Sequence, residues 1–328
     1  MVRLKTRLTE KLGIKHPILL APMNVFAGGK LAAAVSDAGG LGLIGGGYGD
    51  ADWLEQQFAA ARDARIGCGF ITWSMARDPK LLDQVLAKQP AAIMLSFGEV
   101  EPHASRIRAQ GVPLICQVQG MKYLREAVDA GADVIVAEGC EAGGHSGYRG
   151  VFTLVPEAAD YLAKRSPDTV LVAAGGVGDG RGVAAALMLG ADGVLVGTRF
   201  VASQESEASE GFRQAIIRAD GDSTIKSISV DVARKRYWPN PEFVVRVLKN
   251  NFVAKWHGRE REMEKAIDVE YERFRTAFEA GDTDNSGVLM GEVSGIIHTA
   301  PPAAEIVKRM VGQACQLLGS HSRYVVRY

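Results

Sequence analysis

Residues 170–200 read "VLVAAGGVGDGRGVAAALMLGADGVLVGTRF" and contain two apolar runs separated by one segment of helical pattern. Each run is continuously apolar, which is typical of parallel strands covered on both faces. The segment between them, "GRGVAAALMLGA", ends in Gly followed by a short turn, as expected at a helix C-terminus. The stretch therefore predicts one strand–helix–strand unit.

The same unit recurs along the first 200 residues. Six further apolar runs are "PILLAPM" (17–23), "LGLIGG" (41–46), "IGCGFI" (66–71), "AAIMLSF" (91–97), "PLICQV" (113–118) and "DVIVAEG" (133–139). With the two runs above they make eight strands that alternate with helices. Eight such units predict an α/β fold of the (β/α)8 TIM-barrel type, because the alternative, a doubly wound open sheet, usually has fewer strands.

The chain becomes more polar after residue 203, with stretches such as "REREMEKAIDVEYERFR" (259–275). These stretches read as amphipathic helices and predict a smaller, mainly helical domain over 204–301, beside the barrel mouth. The last helical pattern, "PAAEIVKRMVGQACQLLG" (302–319), has apolar spacing suited to packing on a larger body. We therefore expect the barrel to comprise 1–203 plus 302–328.

The composition narrows the class of protein. Lys plus Arg number 38 and Asp plus Glu number 38, so the formal net charge is zero, which argues against nucleic-acid and anionic-membrane partners. The first residues lack the apolar core of a secretory signal, and no apolar run is long enough to span a bilayer. We expect a cytoplasmic protein with four free cysteines.

Metal ligands are not expected. The cysteines form no CxxC pair, and the histidines show no zinc spacing. The stretch "DTDNSGVLMGEV" (282–293) begins like a calcium loop, but its twelfth position is Val293 and Glu292 falls one place early. We interpret it as a polar loop.

Glycine-rich turns follow the seventh and eighth predicted strands. In TIM barrels these two loops commonly hold a phosphate through backbone N–H groups. Gly175, Gly176, Gly197 and Thr198 are therefore candidates for a phosphate site. The alternative is that they only form tight turns between strands and helices.

The stretch "EGCEAGGHSG" (138–147) follows the sixth predicted strand and also opens at the barrel mouth. A neutral imidazole at His145 could take a proton from a carbon acid, although a turn histidine without function is the alternative. Gly143, Gly144 and Gly147 are small enough to let the backbone approach a ligand. Cys140 fits a buried thiol better than a nucleophile.

Five motifs together resemble the nitronate monooxygenase (2-nitropropane dioxygenase) family, in which flavin-dependent enoyl-ACP reductases are related barrels. They are "APMNVFAGGKLAAAVSDAGGLGLIGGG", "CQVQ", "AEGCEAGGHSG", "VAAGGVGDGRG" and "VGTRF". "DVARKRYWPN" followed by "VLKNNF" is more similar to the nitronate oxidisers than to the reductases. The resemblance implies non-covalent FMN, a nitronate and O2 as substrates, a carbonyl compound and nitrite as products, and His145 as the base.

The residues that the resemblance and the strand ends together assign to the cofactor are Ala21, Pro22, Met23, Asn24, Gln117, Glu138, Gly143, Gly144, Gly175, Gly176, Leu195, Val196, Gly197 and Thr198. Two positions depart from the family pattern: Gly69 stands where many members have Asn, and Glu138 where many have Gln. An NAD(P)H-dependent flavin reductase acting on an enoyl thioester or a quinone is the alternative function. The physiological substrate and homodimerisation are left open.

Overall fold

The computed structural model describes residues 3–319. It contains eleven β-strands, here numbered in chain order: β1 Ile18–Leu20, β2 Leu43–Gly47, β3 Gly67–Ile71, β4 Ile93–Ser96, β5 Leu114–Val118, β6 Val134–Glu138, β7 Gly144–Ser146, β8 Val170–Ala174, β9 Gly193–Val196, β10 Thr224–Lys226 and β11 Val244–Leu248. Eight of these coincide with the eight predicted apolar runs, and β7, β10 and β11 are additional.

The α-helices are α1 Arg7–Leu12, α2 Gly29–Asp37, α3 Ala51–Ala60, α4 Thr72–Met75, α5 Lys80–Ala87, α6 Glu101–Ala109, α7 Met121–Asp129, α8 Val151–Arg165, α9 Gly180–Met188, α10 Thr198–Val201, α11 Glu210–Arg218, α12 Ser229–Ala233, α13 Asn251–Trp256, α14 Glu260–Glu264, α15 Ile267–Glu279 and α16 Ala303–Gly319. Short 3-10 helices span Asn24–Phe26, Gly221–Ser223 and Glu292–Ile296.

The eight parallel strands form a TIM barrel, as the apolar runs predict. The strand order is β1-β9-β8-β6-β5-β4-β3-β2. Leu41, just before β2, closes the barrel against β1: its N–H donates to the Ile18 carbonyl at 3.0 Å, and its carbonyl accepts from the Leu20 N–H at 2.9 Å. No barrel edge is left open at this point, which removes the exposed pairing groups of an edge strand.

The strands are apolar on both faces because each face has its own core. Leu19, Met94 and Ile115 belong to a cluster inside the barrel, whereas Ile18 and Leu20 belong to the layer between the strands and the surrounding helices. Helix α1 contributes Leu8 and Leu12 to the inner cluster. The continuous apolar runs in the sequence thus reflect burial on both faces of one sheet.

Helix α16 packs against α9 and α2 on the barrel. Its residues Ile306, Val307 and Met310 join the cluster between strands and helices. The Gln313 side-chain oxygen accepts a hydrogen bond from the Gly180 N–H at 2.7 Å. Residues 320–328 of the predicted barrel segment lie outside the described residues, and the division of the chain into two domains stays a prediction.

Residues 204–301 contain two short strands in addition to the helices predicted for this segment. Strands β10 and β11 pair antiparallel, and β11 pairs with β7 to give a three-stranded sheet. The sequence "VVRVL" of β11 alternates between buried and half-buried positions, the period of a strand with one covered face. No helix within residues 3–319 combines the length and apolar character that a membrane crossing requires.

Candidate active site

A cavity of about 390 Å³ opens at the carboxyl ends of the barrel strands. Its lining brings together thirteen of the fourteen residues predicted to hold the cofactor, together with His145: Ala21, Pro22, Met23, Asn24, Gln117, Glu138, Gly143, Gly144, Gly175, Gly176, Leu195, Gly197 and Thr198. Residues from the ends of five barrel strands, β1, β5, β6, β8 and β9, therefore meet in one place, as expected for the active-site face of a TIM barrel.

Val196 is the predicted residue that does not line the cavity. Strand residues alternate between faces, so Leu195 and Val196 cannot both face the barrel interior. Leu195 belongs to the inner cluster and lines the cavity, whereas the Val196 side chain is buried between the strands and the helices. Its carbonyl accepts from the Ala21 N–H at 2.9 Å, so it holds the first strand-end loop by backbone only.

His145 lies in a strand rather than in a turn, which corrects the interpretation of "EGCEAGGHSG". It is the central residue of β7 and is opposite Val245 of β11. Arg246, next along β11, donates to the Cys140 carbonyl at 2.9 Å and pairs with Glu292 at 2.9 Å. The three-stranded sheet therefore fixes the backbone of His145, and the segment after residue 203 supplies part of the active site.

His145 forms a buried pair with Asp231 of α12. The His145 Nε2 and Asp231 Oδ2 atoms are 2.8 Å apart, and both side chains are 7% exposed. Burial lowers the pKa of His145 below its ordinary value, while the hydrogen bond and charge of Asp231 act in the opposite direction. His145 is therefore neutral at pH 7 and has a lone pair available to accept a proton.

An aromatic wall surrounds this imidazole. The Trp238 indole is stacked on the His145 ring, with centroids 3.6 Å apart and planes inclined by 16°. The Trp238 Nε1–H donates to the Tyr48 hydroxyl at 3.1 Å, and Phe97 contacts both rings edge-on. Phe97 has a φ of 61°, an uncommon conformation for a bulky residue that tends to occur at functional sites.

Glu138 is a buried carboxyl at the end of β6. The side-chain amides of Gln117 and Gln119 both donate to its Oε2, at 3.0 and 2.9 Å. Burial raises the pKa of Glu138 to about 8, although the Gln119 hydrogen bond and the charge of Lys226 oppose the shift. The carboxyl is therefore mostly protonated at pH 7, and since Oε2 accepts two hydrogen bonds, the acid hydrogen belongs on Oε1.

Gly143 and Gly144, the two residues before His145, lack a side chain for different structural reasons. A Cβ built on Gly143 would lie 2.5 Å from the backbone of Met290 and Gly291, so Gly143 is required by chain packing rather than by a ligand. Gly144 has a φ of 77°, and a Cβ built there would meet no atom within 4 Å. Of the two, Gly144 is the position where the missing side chain leaves space open at the cavity.

Gly69 packs closely against the loop after β1. A Cβ built on Gly69 would lie 2.3 Å from the Pro22 side chain, so Pro22 occupies the space that a larger residue needs. Both residues line the cavity. A residue larger than glycine at position 69 would therefore require the loop after β1 to move.

The two other candidate reactive groups in "EGCEAGGHSG", the Glu141 carboxyl and the Cys140 thiol, do not suit acid–base or nucleophilic catalysis. The Glu141 carboxylate accepts from the Val151 N–H at 3.0 Å, at the first residue of α8, so it caps that helix. Burial raises the pKa of the Cys140 thiol, which disfavours the nucleophilic thiolate. Within residues 3–319, no group of three or more His, Cys, Asp or Glu side chains is placed to hold a metal ion.

The sequence reasoning missed Asp231, Trp238 and the cavity-lining Arg234 and Arg236, all of which lie in "DVARKRYWPN". In the sequence this stretch shows only a family resemblance, within a segment predicted to be mainly helical. The usable signal was its mixture of an acid, three cations and two aromatic residues immediately before a turn-forming Pro239.

A parallel barrel with a buried imidazole–carboxylate pair beside a large strand-end cavity defines a TIM-barrel enzyme. The family model for nitronate monooxygenase matches residues 5–66 and 71–313. The chain belongs to the nitronate monooxygenase family and is thus a flavin-dependent oxidoreductase.

Individual relatives agree with this assignment. The chain is 32% identical to a nitronate monooxygenase of Neurospora crassa, over 92% of this chain and 89% of the relative. It is 34% identical to nitronate monooxygenase npaC of Metarhizium robertsii, over 93% of each chain. Among solved structures, FabK from Thermotoga maritima superimposes with a TM-score of 0.84 and 31% identity, over 98% of this chain and 100% of that chain.

Proposed function

We propose that the protein is an FMN-dependent nitronate monooxygenase that oxidises alkyl nitronates with O2 and releases a carbonyl compound and nitrite. With a neutral nitroalkane, His145 acts as the base that generates the nitronate. With a nitronate already ionised, His145 orients the substrate. The observation that carries the proposal is the neutral, buried imidazole of His145 in the lining of the strand-end cavity.

The residues present fit FMN. A cavity of about 390 Å³ falls within the usual range for small-molecule and cofactor sites. The backbone of Gly175, Gly176, Gly197 and Thr198 would hold the phosphate, and the open space at Gly144 accommodates a ring that a Cβ would displace. When bound, the flavin supplies an electron acceptor for the nitronate and a centre that reacts with O2.

Glu138 supports the same proposal through its protonation. A carboxylate beside an electron-accepting ring would oppose the arrival of negative charge. The buried Glu138 avoids this effect because it is mostly neutral at pH 7, and Gln117 and Gln119 hold it in place. The acid thus takes the place of the family's Gln without adding a charge to the site.

The test is the simultaneous measurement of O2 consumption and nitrite release by FMN-loaded protein given propionate 3-nitronate or ethylnitronate. The proposal expects O2 uptake and nitrite release to rise together with enzyme concentration. Absence of turnover with both nitronates would overturn it.

The similarity to the FabK structure favours a second candidate function. In that case the protein would be a flavin reductase that uses NAD(P)H to reduce an enoyl thioester or a quinone. It predicts NADH or NADPH oxidation that depends on crotonyl thioester or a benzoquinone. We favour the nitronate reaction because the family model and the similar relatives in Neurospora crassa and Metarhizium robertsii are nitronate monooxygenases.

A further inference from the structure

The pairing of His145 with Asp231 determines which ring nitrogen can accept a proton. A carboxylate can only accept hydrogen bonds, so the 2.8 Å contact places the imidazole hydrogen on Nε2. Nδ1 makes no hydrogen bond to any residue in 3–319 and keeps its lone pair. The base atom of the site is therefore Nδ1, provided that Asp231 holds this tautomer.

Burial of the Asp231 side chain is unfavourable in free energy, and its contact with His145 gives a functional reason for it. Asp231 is buried, and its neighbours Val230, Val232 and Ala233 belong to an apolar cluster. Its second oxygen, Oδ1, is buried and has no hydrogen-bond partner among the described residues. A buried acid with one partner costs free energy, which a hydrophobic residue at the same position would avoid.

The rest of the site holds the imidazole ring still. Pairing of β7 with β11 fixes the His145 backbone, and the Trp238 indole covers one face of the ring. A half-turn of the ring about its Cβ–Cγ bond would keep the stacking but would replace Nε2 with Cε1 opposite Asp231 and so break the hydrogen bond. Asp231 is thus the group in contact with His145 that selects between the two tautomers.

We propose that Asp231 is the positioning residue of the site: it accepts the Nε2–H of His145 and so directs the Nδ1 lone pair to the substrate α-carbon. In the step, the α-carbon–hydrogen bond breaks and an Nδ1–H bond forms. The electron pair of the broken bond moves into the nitro group and gives the nitronate. This inference rests on the proposed function for its substrate, but the tautomer itself does not.

Other charged groups around the pair remain in an Asp231 variant. Lys226 on β10 and Arg234 after α12 both lower the pKa of His145, whereas Asp231 raises it. Tyr48 contacts Trp238 edge-on and accepts its Nε1–H. Removal of the acid therefore lowers the pKa of His145 further and also releases the choice of tautomer.

The first test is independent of activity. In protein labelled with 15N-histidine, the His145 signals are assigned by their loss in His145→Gln. Wild type is expected to carry hydrogen on Nε2 alone, and Asp231→Ala to populate both tautomers. Asp268→Asn, an exposed acid on α15, is the matched control and should leave the signals unchanged. Hydrogen on Nδ1 in wild type, or an unchanged tautomer in Asp231→Ala, overturns the inference.

The second test compares two substrates of the same carbon skeleton. Asp231→Ala should lower kcat/KM for neutral nitroethane by about 100-fold or more, the usual range for lost general-base catalysis, and for preformed ethylnitronate by only a few-fold. Equal losses on both substrates, or a wild type that oxidises ethylnitronate but never nitroethane, overturn the proton-transfer step. A wild type inactive on both contradicts the proposed function, while the tautomer measurement still decides the positioning role.

Discussion

The Trp238 indole lies against the His145 imidazole at 3.6 Å between centroids, and its Nε1–H reaches the Tyr48 hydroxyl at 3.1 Å. One residue from the segment after the barrel therefore packs against the His145 ring and joins it to the loop after β2. Because the two rings are stacked at 16°, the imidazole orientation depends on an aromatic partner at this position.

We expect Trp238→Ala to destabilise the protein by roughly 2 kcal/mol, since a half-buried aromatic is removed, and to lower kcat/KM for neutral nitroethane about 10-fold or more. Trp238→Phe should retain stacking and most of the activity. Thermal unfolding and steady-state kinetics measure both effects. A Trp238→Ala variant with unchanged kinetics would show that stacking does not orient the base.

The pH–rate profile tests the protonation state of His145. Burial lowers the pKa of this imidazole, so the basic form is present above a value lower than 6.5. With freshly diluted neutral nitroethane, kcat/KM should rise with pH through that lowered value and then become constant. His145→Gln should lose about 100- to 10,000-fold on nitroethane and much less on ethylnitronate. A rise centred above pH 7 would contradict a neutral base.

Glu138 gives a prediction for stability. Its pKa is about 8 in the folded protein, against an ordinary 4.5 in an unfolded chain. Between these values the folded protein keeps a proton that the unfolded chain releases, so the free energy of unfolding falls by about 1.4 kcal/mol per pH unit as pH rises. The contribution of the protonated Glu138 side chain to the free energy of unfolding is fully present below pH 4.5 and is lost as pH rises toward 8.

Glu138→Gln removes this titration and keeps an oxygen for the Gln117 and Gln119 amides. Urea unfolding at a series of pH values should show that the variant gains stability relative to wild type as pH approaches 8. Glu99→Gln, at an exposed position, is the control and should follow wild type. Parallel curves for Glu138→Gln and wild type between pH 5 and 8 would show that Glu138 is ionised in the folded protein.

Gly143 and Gly144 provide a matched pair of substitutions. Gly143→Ala forces a Cβ into the backbone of Met290 and Gly291, so it should lower the unfolding temperature most. Gly144→Ala meets no protein atom but must adopt a φ of 77°, which costs about 1–2 kcal/mol, and it fills space at the cavity. Its main effect should be weaker FMN binding, measured by fluorescence titration. Equal FMN affinity in Gly144→Ala and wild type would place the flavin elsewhere.

The barrel could be predicted from the sequence because each strand is buried on both faces and therefore appears as one continuous apolar run. His145 could be predicted as a candidate site residue because its segment follows such a run. The three-stranded sheet could not be found in the same way, since β7 and β10 are only three residues each and β7 pairs with β11, whose residues 244–246 lie about 100 positions further along the chain. Asp231 was hidden for the same reason: its contact with His145 spans 86 positions and depends on tertiary structure. Val196 was misplaced because a contiguous motif ignores the alternation of strand faces.

We infer that a nitronate, rather than a reduced nicotinamide, donates electrons at this site. The most direct measurement is the visible spectrum of FMN-loaded protein mixed without oxygen with ethylnitronate, NADH or NADPH in separate experiments. We expect rapid bleaching of the flavin by ethylnitronate and little change with either nicotinamide. Rapid bleaching by NADH or NADPH, with none by ethylnitronate, would contradict it.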